Sequence, residues 1–441
     1  MMIAVQFLVV LAAIFLGARL GGIAIGFAGG LGVLVLAMLG VTPGAMPLDV
    51  VSIIMSVIAA IAAMQVAGGM DYLVDLADRA LRKNLKHLNF LAPLITYLMT
   101  IMAGTGHTAF STMPVITEVA KENNIRPARP LSIAVVASQI AITASPISAA
   151  VVFFSGMLEE GSTGVDYIGL LAVAIPSTFL ACMATAAIMM AIDKMRGTTK
   201  LDTLPEYQKR LAEGTVAAPT GRKERDIKPG AKLSVLIFCL GLVVVMTYAT
   251  IISDKVGLIE EPVMGRDAAI ISIMLSIATI IVVCCKVNTS DILGASTFKS
   301  GMSASICVLG VAWLGTTFVK AHEEAIMTAS SDILKENTWL LAVVLLFAAA
   351  LLYSQAATSK ALMPTALAIG ISPLGMVAAF PAVSALFILP TYPTLLAAVE
   401  MDDTGSTRIG KAVFNHPFLI PGLINIAIAV ALGYLFGSFI L

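Results

Sequence analysis

The sequence predicts an all-α polytopic membrane protein built from two inverted repeats, with about ten transmembrane helices, two of them interrupted, and two re-entrant hairpins. Three observations predict it. Hydrophobic residues make up 59% of the 441 residues and charged residues only 12%, half the ~25% usual in soluble domains. Two long apolar segments are each broken near the middle by a polar cluster. The basic residues collect on one side of the apolar runs only if those two segments leave on the side they entered. A net charge of zero implies no nucleic-acid or acidic partner.

Residues 2–17 read as a retained first span, because the stretch has no basic start and no Ala-x-Ala-like cleavage site follows. Further spans are expected at 21–40, 49–68, 131–157 (interrupted), 166–192, 233–252, 268–285, 300–320, 376–400 (interrupted) and 417–441. Gly17, Gly21, Gly22, Gly26, Gly29 and Gly30 include small-xxx-small spacings, which predict close helix packing. The stretch 70–87 sets Asp71, Asp75, Asp78, Arg79, Arg82 and Lys83 against Leu73, Leu76 and Leu81, the pattern of an amphipathic helix on the inner face. The first broken segment, 88–120, is interrupted at Gly104-Thr105-Gly106-His107. The second, 338–371, is interrupted from Ser354 to Ser359. Backbone in lipid must satisfy its own hydrogen bonds, so such breaks belong where protein or a wet cavity surrounds them. The five cysteines lie in apolar runs without metal spacing and read as small buried hydrophobes.

With the N-terminus outside, 22 of the 27 basic residues fall in inner loops. Basic loops then stand on both sides of 88–120, which is possible only if that segment enters and returns. Segment 338–371 follows an acidic outer loop and enters from outside. The halves share one order: two spans, a hairpin, an interrupted span and a final span. Gly104 to Pro114 and Ser354 to Pro364 are both ten residues, and both end Met-Pro. The expected organisation is a first span (1–20), repeat 1 (21–193), a cytoplasmic linker (194–232), a connecting span with its outer loop (233–267), and repeat 2 (268–441). Both termini are expected in the periplasm.

The interrupted spans break at Thr143-Ala144-Ser145-Pro146 and at Pro390-Thr391-Tyr392-Pro393-Thr394. Proline after Ser or Thr is a helix-start signal, so Ser145-Pro146 should cap a half-helix; Tyr392-Pro393 is the weaker cap. Each half-helix would aim free N–H groups at the membrane middle, where they suit a carboxylate. Four breaks at one depth predict a donor-rich cavity lined by Thr105, Gly106, His107, Thr143, Ser145, Ser354, Gln355, Thr358, Thr391 and Tyr392. The two hairpin glycines would let backbone approach a ligand. Such a cavity fits a small anion that must bind and leave; alternatively these hydroxyls cap and pack broken helices. Lys360, just past the second tip, balances a substrate carboxylate, carries its charge to the outer interface or pairs structurally. His107 is a substrate donor, a proton carrier or a packing residue. Arg82, Arg126 and Arg129 could draw anions to the inner mouth, or simply fix topology.

At these residues the chain resembles the Dcu family of anaerobic four-carbon dicarboxylate transporters, and within it the DcuA type. The resemblance is carried by Ile14-Phe-Leu-Gly-Ala-Arg-Leu-Gly-Gly22, Gln65-Val-Ala-Gly-Gly69, Ala103-Gly-Thr-Gly-His107, Ile125-Arg-Pro-Ala-Arg-Pro130, Ala141-Ile-Thr-Ala-Ser-Pro-Ile-Ser148, Leu389-Pro-Thr-Tyr-Pro-Thr394 and the run Met401–Gly410. It implies exchange of fumarate, succinate, malate or aspartate across a bacterial inner membrane in anaerobic metabolism. It also implies the ion-transporter-superfamily architecture, often a homodimer, and marks Arg82 and Arg126 as basic positions to test. Leu395 follows Thr394, where the DcuB type has an acidic residue soon after this motif, so no sensor-kinase partner is expected. No cofactor is expected, and Na⁺ and H⁺ both stay open as coupling ions. A sodium- or proton-coupled carboxylate symporter on the same scaffold is the alternative. An enzyme is not expected: His322-Glu323-Glu324 lacks the second histidine of a zinc protease, and no Gly-x-Ser-x-Gly elbow occurs.

Overall fold

The computed structural model describes residues 2–20, 23–46, 48–161, 163–216, 226–252, 258–259, 261–322, 337–352, 354–390, 392–410 and 414–441. Its regular structure is helical, and a helix stands at each of the ten predicted span positions. Six are long and apolar enough to cross a bilayer: Ala128–Glu159 (counted across its break), Tyr167–Arg196, Ala231–Ile251, Arg266–Cys284, Thr297–Phe318 and Leu419–Ile440. Shorter apolar helices include Met2–Gly17, Gly26–Met38, Leu88–Ala103 and Leu340–Leu352. Large side chains such as Phe7, Phe15, Phe27, Val243, Phe347 and Phe439 face outward. An apolar surface this extensive would be a liability in water and is what a lipid solvent requires.

Helix Leu48–Val66 and helix Gly69–Lys83 meet at 73°. The corner is Gly68, whose φ of +89° a side chain would strain. Gly69–Lys83 is the predicted amphipathic helix, with a different buried face from the one expected. Met70, Val74, Ala77 and Leu81 are buried, whereas Leu76 is exposed and Leu73 only half-buried. Asp75 and Asp78 lie on the buried side, each paired to an arginine one turn on, Asp75 with Arg79 at 2.6 Å and Asp78 with Arg82 at 2.7 Å.

Packing between the halves is reciprocal. Helix Ala24–Met38 packs on Ser296–Ala321, and Leu48–Val66 packs on Arg266–Cys284. The final spans of the halves, Tyr167–Arg196 and Leu419–Ile440, pack on each other. Reciprocity of this kind is what a two-fold relation between halves produces. The glycine-rich second span allows the closest approach. A Cβ on Gly26 would lie 2.2 Å from the Ile306 oxygen, and one on Gly310 would lie 1.9 Å from the Gly26 oxygen.

Two groups of elements result. Spans Met2–Leu20, Ala24–Met38, Leu48–Val66, Ala231–Ile251, Arg266–Cys284 and Ser296–Ala321 pack on one another, with a small hydrophobic core of their own around Val10, Leu36 and Leu314. The hairpins, the interrupted spans and the two final spans form the other group. The interrupted spans are its centre: every residue of 130–148 and of 375–388 is buried. Non-helical backbone is thus found where protein encloses it and not at the lipid face.

Candidate functional site

The first hairpin has arms Leu88–Ala103 and Ala109–Glu122 joined through Gly104, Thr105 and a short turn Gly106–Thr108. Gly104 turns the chain at φ +64°. The arms are pinned by hydroxyl pairs at matched distances from the tip: Thr100 to Thr108 at 2.9 Å and Thr96 to Thr112 at 3.2 Å. A single straight helix would hold Thr96 and Thr112 about 24 Å apart. The segment therefore doubles back. The two tip glycines seat the tip on the first interrupted span: a Cβ on Gly106 would lie 3.1 Å from the Ser138 oxygen, and one on Gly104 would lie 3.1 Å from the Ile147 side chain and 3.2 Å from its oxygen. Thr105 is half-buried, and its carbonyl accepts from Thr108. The side chain of His107 lies outside the described residues.

The first interrupted span runs Ala128–Ile140, a tight turn Ala141–Ala144, a non-helical Ser145–Ser148, then Ala149–Glu160. The half-helix is capped by Ser148 and not by Ser145. The Ser148 hydroxyl accepts from the Val151 N–H at 3.2 Å and donates to the Ile142 carbonyl at 2.7 Å. Ser145-Pro146-Ile147-Ser148 is a turn closed by the Ser148 N–H to the Ser145 carbonyl, so Pro146 serves the second turn position and not the first helical one. Ser145 is free to donate to the Ile101 carbonyl at 2.7 Å, which ties the break to the first hairpin. Thr143 is fully buried and donates to its own turn at Ile140, 2.7 Å away.

The second hairpin has arms Leu340–Leu352 and Gln355–Ala368. Ser354 caps the outgoing arm by accepting from the Ala357 N–H at 3.2 Å, and Thr358 donates back to the Ser354 carbonyl at 2.7 Å. Gln355 reaches across to the other half, donating to the Gln139 carbonyl at 3.3 Å. Lys360 is buried, and its Nζ stands 5.1 Å above the Phe153 ring of the first repeat's half-helix, so its charge is not carried out to the interface.

The second interrupted span runs Pro373–Ala379, a turn Phe380–Ser384, non-helical chain over 385–390, then Pro393–Met401. Pro393 opens the last helix and Tyr392 gives it no side-chain cap. The break is wider than the expected Pro390–Thr394. Pro381 cannot donate to the turn before it, so regular helix ends at Ala379. The Phe380-Pro381 pair was the signal for this. Tyr392 is half-buried against the main core, and Thr391 lies outside the described residues.

The turns Ala141–Ala144 and Phe380–Ser384 pack against each other. The hub joining the pieces is Gln139, which the sequence reading missed. It is 1% exposed, its Nε2 donates to Thr394 Oγ1 at 3.4 Å, and its carbonyl accepts from Gln355. An amide within the apolar run Leu131–Ile142 was the available signal. Ser384 and Thr394 were missed with it. Gly106, Gln355 and Lys360 thus converge on the first interrupted span, which carries Ser145. Arg82 and Arg126 are not brought to the tips. Arg82 binds Asp78 and Glu122, and Glu122 ends an arm that extends about 20 Å from the first tip. Arg126 donates to the Lys200 carbonyl at 2.8 Å and to Thr203 at 3.0 Å, holding the start of the linker. Lys121 pairs with Asp403 at 2.9 Å on the loop after the last half-helix. Among the described residues no cluster of His, Cys, Asp and Glu could hold a metal ion.

The chain is similar to known proteins. A family model described as anaerobic C4-dicarboxylate membrane transporter matches residues 2–441. The C4-dicarboxylate transporter DcuA of Wolinella succinogenes is 60% identical over 441 residues, covering all of both chains, and that of Escherichia coli K12 is 59% identical over 440. The anaerobic C4-dicarboxylate transporter DcuB of E. coli O6:H1 is 35% identical over 446 residues and 99% of each chain. The crystal structure of the Alcanivorax borkumensis YdaH transporter superposes with a TM-score of 0.56 at 15% identity, over 89% of this chain and 85% of that one, which shows a shared fold. The chain belongs to the DcuA/DcuB family of membrane transporters.

Proposed function

We propose that this protein carries C4-dicarboxylates across the bacterial inner membrane by alternating access, chiefly as fumarate/succinate antiport, with malate and aspartate as further cargo. The observation that carries the reading is the cross-linking of discontinuous elements from both halves, in which Gln139 of one interrupted span bonds the second hairpin tip and the head of the opposite half-helix. Breaks held by such few, long bonds at a buried centre can part for a ligand and close behind it. Hydroxyls, amides and half-helix N-termini supply donors for two carboxylates without a tight ion pair that would hinder release. Lys360 supplies a positive charge nearby.

In this reading the group that holds the hairpins moves against the group built on Ala24–Met38 and Ser296–Ala321. Both termini face the periplasm, because that assignment puts the basic linker inside. Equal-charge exchange needs no net ion movement. Vesicles containing the purified protein and preloaded with succinate should take up labelled fumarate at least tenfold faster than empty vesicles. Equal rates would refute exchange, and a rate that rises with an imposed sodium or proton gradient in empty vesicles would establish the symporter instead. Cross-linking in native membranes tests the homodimer.

A further inference from the structure

Two polar atoms at the junction of the interrupted spans are buried without a hydrogen-bond partner: Gln139 Oε1 and Ser384 Oγ. They lie on opposite halves, beside or within the turns Ala141–Ala144 and Phe380–Ser384 that pack together. Gln139 is 1% exposed, so solvent does not satisfy its oxygen. A buried unsatisfied carbonyl is destabilising, and a working site keeps one where a ligand completes it. The side chain is otherwise held in place by its Nε2 to Thr394, while its own carbonyl receives Gln355. Both bonds are long, 3.4 and 3.3 Å, so a ligand that lifts the second hairpin tip disrupts little.

The unpaired Oε1 can only accept. A plain four-carbon diacid is a dianion at neutral pH and has no donor to offer it. A diacid substituted at C2 with an ammonium or hydroxyl group does. Sites built to bond a substrate N–H or O–H discriminate strongly against the analogue lacking it, because the protein group is then left buried and unpaired. We propose that Gln139 is a specificity-determining residue that accepts a hydrogen bond from the C2 ammonium or hydroxyl of a substituted diacid. Ser384 Oγ, donor or acceptor, stands on the other face of the same junction. The inference rests on the dicarboxylate reading above and deepens it: at this residue malate and aspartate gain a bond that fumarate and succinate, carried by the rest of the site, do not make.

Counterflow into reconstituted vesicles tests it, with labelled aspartate and labelled fumarate measured in parallel. Gln139→Met keeps the length of the side chain and removes the acceptor. It should lower the aspartate-to-fumarate uptake ratio by about tenfold, whatever the fall in fumarate uptake itself. Gln139→Glu keeps an acceptor oxygen and should retain the ratio within about threefold. Gln139→Leu serves where Gln139→Met does not assemble, and the unfolding midpoint of each variant reports folding. If both substrates fall together, Gln139 only positions the hairpin and the proposal is overturned. An unchanged ratio overturns it as well. If the unsubstituted protein moves neither diacid, the transport reading fails and takes this one with it.

Discussion

Adding one methyl group at Gly26 should do the opposite of adding it at Gly30, one turn further along the same helix. At Gly26 a Cβ would lie 2.2 Å from the Ile306 oxygen and 2.6 Å from its carbon, whereas ordinary contact begins at 3.4 Å. The backbones of Ala24–Met38 and Ser296–Ala321 must then part by roughly 1.2 Å, and gaps of 0.5–1 Å already forfeit about a quarter to a half of a contact's attraction. Forced overpacking costs about 1–3 kcal/mol, and the better helix propensity of alanine returns at most about 1 kcal/mol. The expected net loss for Gly26→Ala is about 1–2 kcal/mol. At Gly30 nothing lies within 4 Å of the added atom, so Gly30→Ala keeps only the propensity gain, about 0.5–1 kcal/mol. Unfolding midpoints of the purified proteins in one detergent should fall for the first variant and hold or rise for the second. Helix Ser296–Ala321 also meets the second hairpin, where a Cβ on Gly315 would lie 3.0 Å from Ala361, so uptake should fall in Gly26→Ala as well. Midpoints that move together in the two variants would show that the glycines do not serve this close approach.

Three further outcomes are expected. In a background without the five native cysteines, Thr96→Cys with Thr112→Cys should cross-link on mild oxidation, read by thiol labelling and mass; persistently free thiols would count against the doubled-back first hairpin. Arg82→Gln and Glu122→Gln should each lower the unfolding midpoint, and the double variant should lose less than the two together by about 1 kcal/mol, because Arg82→Gln strands Glu122 and Glu122→Gln leaves Arg82 with Asp78 in place of two carboxylates. His416 is buried with Nε2 3.2 Å from the Ile388 carbonyl, and burial lowers its pKa from 6.5 more than the carbonyl raises it. A lowered folded pKa contributes stability present above 6.5 and lost as pH falls through the folded value, so stability should decline as the pH is lowered below 6.5, and His416→Gln should flatten that part of the profile.

The positions of the breaks were legible because they are set locally. Gly104-Thr105-Gly106 in an apolar run cannot continue a helix cheaply, and the structure leaves helix there. What holds each break was much less legible. Ser145-Pro146 fits a helix start and a turn equally well by local rules. The choice is made by Ile101, 44 residues earlier, whose carbonyl takes the Ser145 hydroxyl. Pro381 widens the second break locally, because its nitrogen has no hydrogen to donate and the helix ends at Ala379. Gln139 could not have been placed without its partners, since Gln355 and Thr394 lie 216 and 255 residues away. Its meaning depends on which residue of the opposite half faces it, and this depends on how the halves pack together. The same reasoning explains why the sequence leaves Arg82 and Arg126 open between drawing anions and fixing topology. Composition and side of membrane place a basic residue at a mouth, but only the docked hairpin end, with Glu122, and the linker, with Lys200 and Thr203, show that their donors are already engaged. A break in an apolar segment is therefore a local property that sequence reveals, whereas the atom left unpaired at that break is a property of two halves together.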